Sequence, residues 1–251
     1  MTLQSTFASL CGAALIAAGG LYAGPAQAVP VALELALLVD VSGSIDGDEY
    51  DLQKQGYINA FRNANVQNAI AGQSGGIAVT YIEWSGSGQQ AQLVGWTHLT
   101  DAASADAFAD ALGLTSRAFS GQTNPDAAIN YAVPLFDDND FEGLRLVIDV
   151  SGDGTGNANN TAAARDAALA AGINAINGLA IGGTGLEDWY NDYLRGGAGS
   201  FVIGVADFED FEGAVMTKLQ REITGSVPEP GTLMLLGLAT AALAFSRRRM
   251  G

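Results

Sequence analysis

The most informative segment of the sequence is "LLVDVSGSID" (37–46), together with a near copy of it, "LVIDVSGDGT" (146–155). Each stretch begins as an apolar run and then reads Asp-Val-Ser-Gly. Continuous apolar runs are typical of strands that are buried on both faces of a parallel sheet. An acidic helix comes after the first copy and a Gly/Asn-rich loop after the second, so the copies do not mark a larger repeat. Each copy therefore predicts a central strand that ends in a polar turn.

Strands and helices alternate along the rest of the chain. A helix is predicted to begin near Asp46, because acidic residues follow that position and aromatic residues recur at helical spacing. The second and third strands are separated by a short Gly-rich turn, which predicts a hairpin. The alternation predicts an α/β fold: a doubly wound, mostly parallel six-stranded sheet with one antiparallel edge strand and helices on both faces. The predicted strands are 31–42, 75–86, 90–99, 144–152, 176–183 and 199–206.

Polar side chains stand where both copies end. In open parallel sheets, ligands bind beyond the carboxyl ends of the strands. If the first and fourth strands are neighbours, Asp40 and the turn at 149–153 face one crevice. Asp40, Ser42 and Ser44 alternate along the chain, so an extended segment can direct all three to one side. One carboxylate with two hydroxyls is an oxygen-only set, which suits Mg²⁺ or Mn²⁺ better than zinc.

The motif "DVSGS" (40–44) resembles the Asp-x-Ser-x-Ser signature of von Willebrand factor A (VWA) domains. The resemblance implies a metal-ion-dependent adhesion site (MIDAS) that a Thr and an Asp from later loops complete. "SGQTN" supplies Thr123 and "VSGDG" supplies Asp153 at the matching places. The implied metal ligands are therefore Asp40, Ser42, Ser44, Thr123 and Asp153, and the implied cofactor is Mg²⁺, with Mn²⁺ or Ca²⁺ as alternatives.

The paired motifs, with "VTYIEWSG" and "INGLAI", resemble more narrowly a bacterial VWA-like group of unknown function, the DUF1194 type. Asp149 departs from the family pattern as an extra acid inside the fourth strand. Two interpretations stay open for it: a carboxylate satisfied by backbone or hydroxyl hydrogen bonds beneath the site, or a direct metal ligand. In the second case Ser151 would stand where the family usually has Thr.

Both ends of the chain read as sorting segments. Residues 1–28 are typical of a cleavable signal peptide, because an apolar stretch precedes the small-residue pattern "AQA", although a retained membrane helix is the alternative.

The C-terminal segment, residues 227–251, contains Pro-Glu-Pro, then 15 uncharged residues, Thr232–Ser246, and then three arginines. This order resembles the PEP-CTERM sorting signal of Gram-negative bacteria, which implies cleavage by an exosortase and delivery to the cell surface or extracellular matrix. A plain C-terminal anchor is the alternative. Residues 29–226 remain as one VWA-like domain.

Composition narrows the possible partners. Without Glu229 and the three terminal arginines, the chain has 8 basic and 26 acidic residues, a formal charge of −18. Such a surface repels nucleic acid and anionic lipid, so membrane contact is expected only transiently, through the C-terminal segment. The one cysteine, Cys11, lies in the signal segment, which excludes disulfides from the mature chain.

Other kinds of site fit the sequence less well. A dinucleotide loop at "GDGTGNANN" lacks the third glycine, and a phosphatase of the haloacid dehalogenase type would need Asp where Ser42 stands. His98, the only histidine, lies in an alternating strand and is expected to be a packing or surface residue rather than part of a catalytic triad.

The aromatic residues of the hairpin, Tyr81, Trp84 and Trp96, could form a platform that binds sugars. Packing in the core is the more expected role for them. The acids Asp137, Asp138, Asp140 and Glu142 lack EF-hand spacing and are expected to form a solvated loop.

The sequence therefore predicts an exported, non-catalytic adhesion domain with one divalent cation. Its expected partner is a protein or exopolysaccharide that offers an acidic or other oxygen ligand, and signal peptidase and exosortase are its expected processing partners. The alternatives are a structural matrix protein whose metal only stabilises the fold and, less favoured, a phosphate-ester hydrolase.

Overall fold

The computed structural model describes residues 28–225 and contains nine strands. They are β1 (Val29–Val31), β2 (Leu33–Asp40), β3 (Ile77–Trp84), β4 (Gln90–Leu99), β5 (Phe141–Gly143), β6 (Leu146–Gly152), β7 (Ala175–Ile181), β8 (Gly196–Gly197) and β9 (Val202–Val205). The predicted signal peptide and the C-terminal sorting segment lie outside the described residues, apart from Ala28.

Seven α-helices connect these strands within the described chain. They are α1 (Gly47–Arg62), α2 (Ala64–Ala71), α3 (Ala102–Gly113), α4 (Pro125–Ala132), α5 (Ala158–Ala170), α6 (Thr184–Trp189) and α7 (Phe211–Thr224). A π-helical turn, Tyr190–Leu194, continues α6, and 3₁₀ turns lie at Val133–Phe136 and Phe208–Asp210. Between residues 28 and 225, no helix is both long enough and apolar enough to cross a bilayer.

The main sheet has seven strands in the order β4-β3-β2-β6-β7-β8, and β9 also pairs with β7. Strands β3, β2, β6, β7 and β9 are parallel, and β4 is an antiparallel edge strand paired with β3. The predicted fold class is confirmed, and one strand must be added to the six expected. The addition is β8, two glycines that pair antiparallel with β7 and carry no side chain from which a strand could be predicted. A separate two-stranded sheet of β1 and β5 was also missed, because three-residue strands give too little periodicity.

The core lies on both faces of the main sheet. Helices α1, α2, α3 and α7 cover one face, and α4, α5, α6 and the π-helical turn cover the other. All eight residues of β2 are buried, which explains its near-continuous apolar run. Among the hairpin aromatics, Tyr81 and Trp84 are fully buried in the core and Trp96 packs against it. They therefore form no exposed sugar platform. The His98 ring bonds the carbonyl oxygen of Gly75 and packs near Phe141.

Helix α1 begins where the sequence predicts. The Asp46 side chain accepts a hydrogen bond from the Glu49 backbone N–H, and the Glu49 side chain accepts one from the Asp46 N–H. This capping box satisfies donors that the first helical turn leaves free. Before it, the Ile45 N–H donates to the Ser42 carbonyl at 3.1 Å, so residues 41–45 form a tight turn at the carboxyl edge of the sheet.

Candidate metal centre

The two Asp-Val-Ser-Gly copies lie side by side. Strands β2 and β6 are parallel neighbours, with Val39 opposite Ser151, so both turns leave the same edge of the sheet. The expected pairing of the first and fourth strands is confirmed, so both turns lie at one edge of the sheet.

The five predicted ligands come together at this edge. The hydroxyl of Ser44 donates to Asp153 Oδ1 at 2.8 Å, and the hydroxyls of Ser42 and Ser44 lie 3.2 Å apart. Thr123, from the loop before α4, donates to Ser42 Oγ at 3.1 Å, and the Ser42 backbone N–H donates to Asp40 Oδ1 at 2.8 Å. One continuous chain of hydrogen bonds therefore links the oxygen-bearing side chains of two sheet-end turns and a third loop.

The charge and burial of this cluster suit a cation. Asp40 is fully buried, and its Oδ2 has no hydrogen-bond partner in residues 28–225. Burial raises the pKa of Asp40 to about 7, and the nearby negative charge of Asp153 adds to the rise. A divalent cation would offset both effects. Two carboxylates and three hydroxyls form an oxygen-only set of the kind that Mg²⁺, Mn²⁺ and Ca²⁺ accept. No group of three or more His, Cys, Asp or Glu side chains is arranged for a metal in the described chain, so hydroxyls are needed to complete this set.

Arg117 was not predicted from the sequence, although it holds the loop that carries Ser42. Its Nη2 donates to the carbonyl oxygens of Val41 (3.0 Å), Ser42 (2.8 Å) and Ile45 (2.8 Å). Its Nε donates to the Phe119 carbonyl at 2.9 Å, which fixes its own loop as well. A guanidinium can serve several acceptors at once, so one side chain ties the 41–45 loop to the segment that leads to Thr123. The only sequence feature that could have indicated this role is an isolated arginine in the loop before Thr123 of a strongly acidic chain.

Tyr190 was also missed, and it lies directly beneath Asp40. A methyl group placed on Gly152 would be 2.7 Å from Asp40 Oδ2 and 2.9 Å from Tyr190 Oη, so both oxygens border the same small space. A methyl group on Gly178 would be 2.6 Å from the Tyr190 ring, so glycines in two neighbouring strands make room for this side chain. Tyr190 is fully buried, and its hydroxyl has no partner in the described part of the chain. A slight adjustment, or one water, would let this donor serve the free Asp40 oxygen.

Tyr190→Phe is therefore expected to weaken cation binding about 10-fold or more, the usual effect of losing a group that orients a metal ligand. The free energy of unfolding without metal should change by less than about 1 kcal/mol, because the hydroxyl has no direct hydrogen-bond partner in residues 28–225. Isothermal titration and urea unfolding in EDTA measure the two quantities. Tyr81→Phe, a buried hydroxyl 3.4 Å from Glu83, serves as the control and should leave the affinity for the cation unchanged.

Comparison with known proteins identifies the family. Residues 30–227 match the family model described as "Protein of unknown function (DUF1194)". The chain belongs to the DUF1194 family. Residues 226–249 of this DUF1194 chain match the PEP-CTERM protein-sorting motif, which indicates an exported protein with a C-terminal sorting signal and processing by an exosortase. No curated protein matches the chain.

Solved structures show the same fold at low sequence identity. The pilus adhesin SpaC of Lactobacillus rhamnosus GG is 14% identical at a TM-score of 0.59, over 80% of the DUF1194 chain and 32% of SpaC. Proximal thread matrix protein 1 of the mussel byssus is 14% identical at a TM-score of 0.55. The match covers 78% of the DUF1194 chain and 46% of the mussel protein. A von Willebrand factor type A structure from Catenulispora acidiphila is 13% identical at a TM-score of 0.53. The match covers 76% of the DUF1194 chain and 43% of that structure. The DUF1194 chain thus spans a third to a half of each relative, and it has the VWA-type fold.

Of the two interpretations left open for Asp149, the structure contradicts the first, in which backbone or hydroxyl donors satisfy the carboxylate. The fully buried carboxylate of Asp149 pairs with Lys218 Nζ of α7 at 2.5 Å, not with backbone or hydroxyl donors. Lys218 also bonds Glu222 Oε1 at 2.5 Å, and Asn177 Nδ2 donates to the same oxygen at 2.8 Å. Ser151, two residues further along β6, is buried and accepts a hydrogen bond from the Tyr57 hydroxyl at 3.3 Å. In the DUF1194 chain the extra acid thus belongs to a buried Asp149–Lys218–Glu222 triad that joins β6 to α7.

This triad predicts a pH dependence, because it holds two carboxylates and one ammonium. Burial, with the charge of Asp149 added, raises the pKa of Glu222 from its ordinary 4.5 to about 7, and burial also raises the pKa of Asp149. Between pH 4.5 and about 7 the Glu222 side chain binds more protons in the folded protein than in the unfolded chain, so this residue makes the free energy of unfolding fall as pH rises through this window. Glu222→Gln leaves one carboxylate with one ammonium and should flatten this fall. Urea unfolding from pH 4 to about pH 8 measures it, and the same slope in both proteins would contradict the expectation.

Proposed function

We propose that this protein is an exported binding domain that captures its partner through one divalent cation. The observation that carries the proposal is the hydrogen-bonded cluster of oxygen ligands at the carboxyl edge of the sheet, which contains a buried carboxylate oxygen without a partner in residues 28–225. The proposed ligands are Asp40, Ser42, Ser44, Thr123 and Asp153. Mg²⁺ is the preferred ion, with Mn²⁺ or Ca²⁺ as alternatives.

The small ligand set leaves coordination positions for a partner. Mg²⁺ prefers six oxygen ligands in octahedral geometry and usually keeps several waters, and a carboxylate or hydroxyl of a partner can replace one of them. Because the domain is strongly acidic, an acidic protein or exopolysaccharide would be repelled without the cation, which makes capture metal-dependent. The adhesin relative supports this role for the fold without specifying a partner.

The proposed location is the cell surface or extracellular matrix of a Gram-negative bacterium. The support is the PEP-CTERM motif at 226–249. Signal peptidase would remove residues 1–28, and a membrane-anchored intermediate would precede cleavage by the exosortase. We propose no catalytic activity. Turnover of phosphate esters that Asp40→Asn abolishes would contradict this.

The experiment is thermal unfolding of the purified protein in EDTA and with Mg²⁺, Mn²⁺, Ca²⁺ or Zn²⁺. An ion that binds only the folded state should add about 2.7 kcal/mol at 100 times its Kd. Zn²⁺ is included because a zinc-occupied MIDAS motif is described for the mussel protein. The gain should disappear in Asp40→Ala and Asp153→Ala. It should persist in Asp126→Ala, which removes an acid from the first turn of the neighbouring helix α4.

A second candidate is a structural matrix protein whose cation only stabilises the fold, and the likeness to a byssal thread matrix protein favours it. The two functions differ in what the ligand variants do at the cell surface. Asp153→Ala cells that keep the protein on their surface and lose aggregation or attachment support adhesion. Cells whose attachment is unchanged, while the purified variant has lost its response to cations, support the structural role.

A further inference from the structure

A second cavity lies at the edge of the sheet opposite the candidate metal centre. It has a volume of about 320 Å³ and opens to solvent beside the first residues of β6 and β7 and the end of α7. Strand β6 has seven residues, so about 20 Å of strand separates this cavity from the cluster at Asp153. We call it the Arg221 pocket. Its polar lining residues are Arg145, Asn174, Asn177, Arg221 and Glu222, and Phe201 is its aromatic lining residue.

Arg221 provides the main evidence that this cavity binds a ligand. Its guanidinium carbon lies 3.7 Å from the centre of the Phe201 ring, so stacking fixes the side chain against the wall. Its Nε is buried, and no residue in 28–225 accepts a hydrogen bond from it. By contrast, Arg62 and Arg165 pair with carboxylates. An unmatched buried N–H is costly to the fold, and a guanidinium binds carboxylates in a planar fork.

Glu222 contributes a carboxyl group without a full set of hydrogen-bond partners to the same cavity. Its side chain is 2% exposed, and its Oε1 accepts from Lys218 and Asn177, whereas Oε2 has no partner in the described chain. A hydroxyl group on the ligand suits this carboxyl group in either protonation state, because a hydroxyl both donates and accepts. An ammonium group would be repelled by Arg221 and Lys218, so a neutral hydroxyl fits better. Asn174 accepts from the Leu146 N–H through Oδ1, which leaves its amide hydrogens free to bind a hydroxyl.

We propose that the Arg221 pocket binds a small hydroxylated carboxylate of the size of one sugar acid, such as a free uronate. The carboxylate accepts from Arg221, and a ring hydroxyl donates to Glu222 Oε2. The volume is at the lower end of the range of small-molecule sites and accommodates one six-membered ring. This site needs no cation and is separate from the proposed adhesion function, so either can fail without the other.

The test is titration of the purified protein with galacturonate in EDTA and about 0.15 M salt, which screens the overall negative charge. Galactose, which lacks the carboxylate, and acetate, which lacks the hydroxyls, are the comparison ligands. We expect millimolar binding of galacturonate, at least about 10-fold tighter than either comparison ligand, because each of those loses one charged or buried hydrogen bond. Equal binding of galactose, or no binding of galacturonate up to about 50 mM, would overturn the proposal.

Three variants localise the binding. Arg221→Gln should weaken galacturonate binding at least about 10-fold, and Arg195→Gln, an equal charge change at an exposed position, should not. Ala198→Glu adds a negative charge at the rim without touching the buried triad, so it tests the site even if Arg221→Gln unfolds. Unchanged affinity in Ala198→Glu, or in a folded Arg221→Gln, would place binding elsewhere and sink the proposal.

Discussion

Lys218→Met is expected to lower the free energy of unfolding by about 3–5 kcal/mol near pH 7, the range for breaking a buried ion pair from one side. Lys218 is fully buried between Asp149 and Glu222, and its removal leaves two carboxylates facing each other without a counter-ion. Methionine keeps most of the side-chain volume, so the loss reports the charge rather than a cavity. Urea unfolding in EDTA measures it.

Two controls separate this effect from general loss of a lysine. Lys54→Met removes a partly exposed ammonium that donates to the Thr115 carbonyl and lies over the Tyr50 ring, so the expected loss is about 1 kcal/mol. Adding Asp149→Asn and Glu222→Gln to Lys218→Met removes the unpaired charges and should recover part of the stability. If Lys218→Met and Lys54→Met were equally mild, the buried triad would not stabilise the fold as the structure implies.

Gly152→Ala is expected to have two effects: it should lower the free energy of unfolding by about 1–3 kcal/mol, and it should abolish cation binding. The added methyl group would lie 2.7 Å from Asp40 Oδ2 and 2.9 Å from Tyr190 Oη, closer than such atoms can approach. Since Gly152 belongs to a central strand, the side chain of Asp40 must move instead of the backbone. Displacing Asp40 removes it from the cluster of proposed ligands. Thermal unfolding with and without Mg²⁺ reads both effects.

Gly213→Ala is the matched control. Gly213 lies in α7, where an added methyl group would meet nothing within 4 Å, so this change should raise stability by about 0.5–1 kcal/mol and leave cation binding intact. A Gly152→Ala protein that still gained stability from Mg²⁺ would show that the position of Asp40 is not what binds the ion.

Much of this architecture can be predicted from the sequence, because local pattern determines it. Apolar runs locate the central strands, Asp46 marks the start of α1, and the two Asp-Val-Ser-Gly turns indicate the edge of the sheet where the candidate ligands lie. These features depend on periodicity and capping, which are properties of neighbouring residues in the chain.

Residues whose role depends on distant strands were harder to predict. Lys218 reads as a basic residue near a helix end, and only the position of Asp149 on β6 makes it a buried counter-ion. The role of Tyr190 depends on missing side chains at Gly152 and Gly178, in two different strands. Such contacts join positions far apart in the chain, so no local period reveals them. The ligation of a cation by the five predicted residues stays a prediction until it is measured.

The polarity of the sheet also sets how the domain is displayed. The first and last described segments, β1 and the end of α7, both lie near residues 140–145: the Val29 N–H donates to the Asp140 carbonyl, and Arg145 donates to the carbonyls of Glu222 and Ile223. The candidate cation cluster is at the other end of β2, an eight-residue strand about 26 Å long. In the proposed surface location, a tether through the chain beyond residue 225 would attach on the side opposite the cation cluster and leave the cluster accessible to a partner.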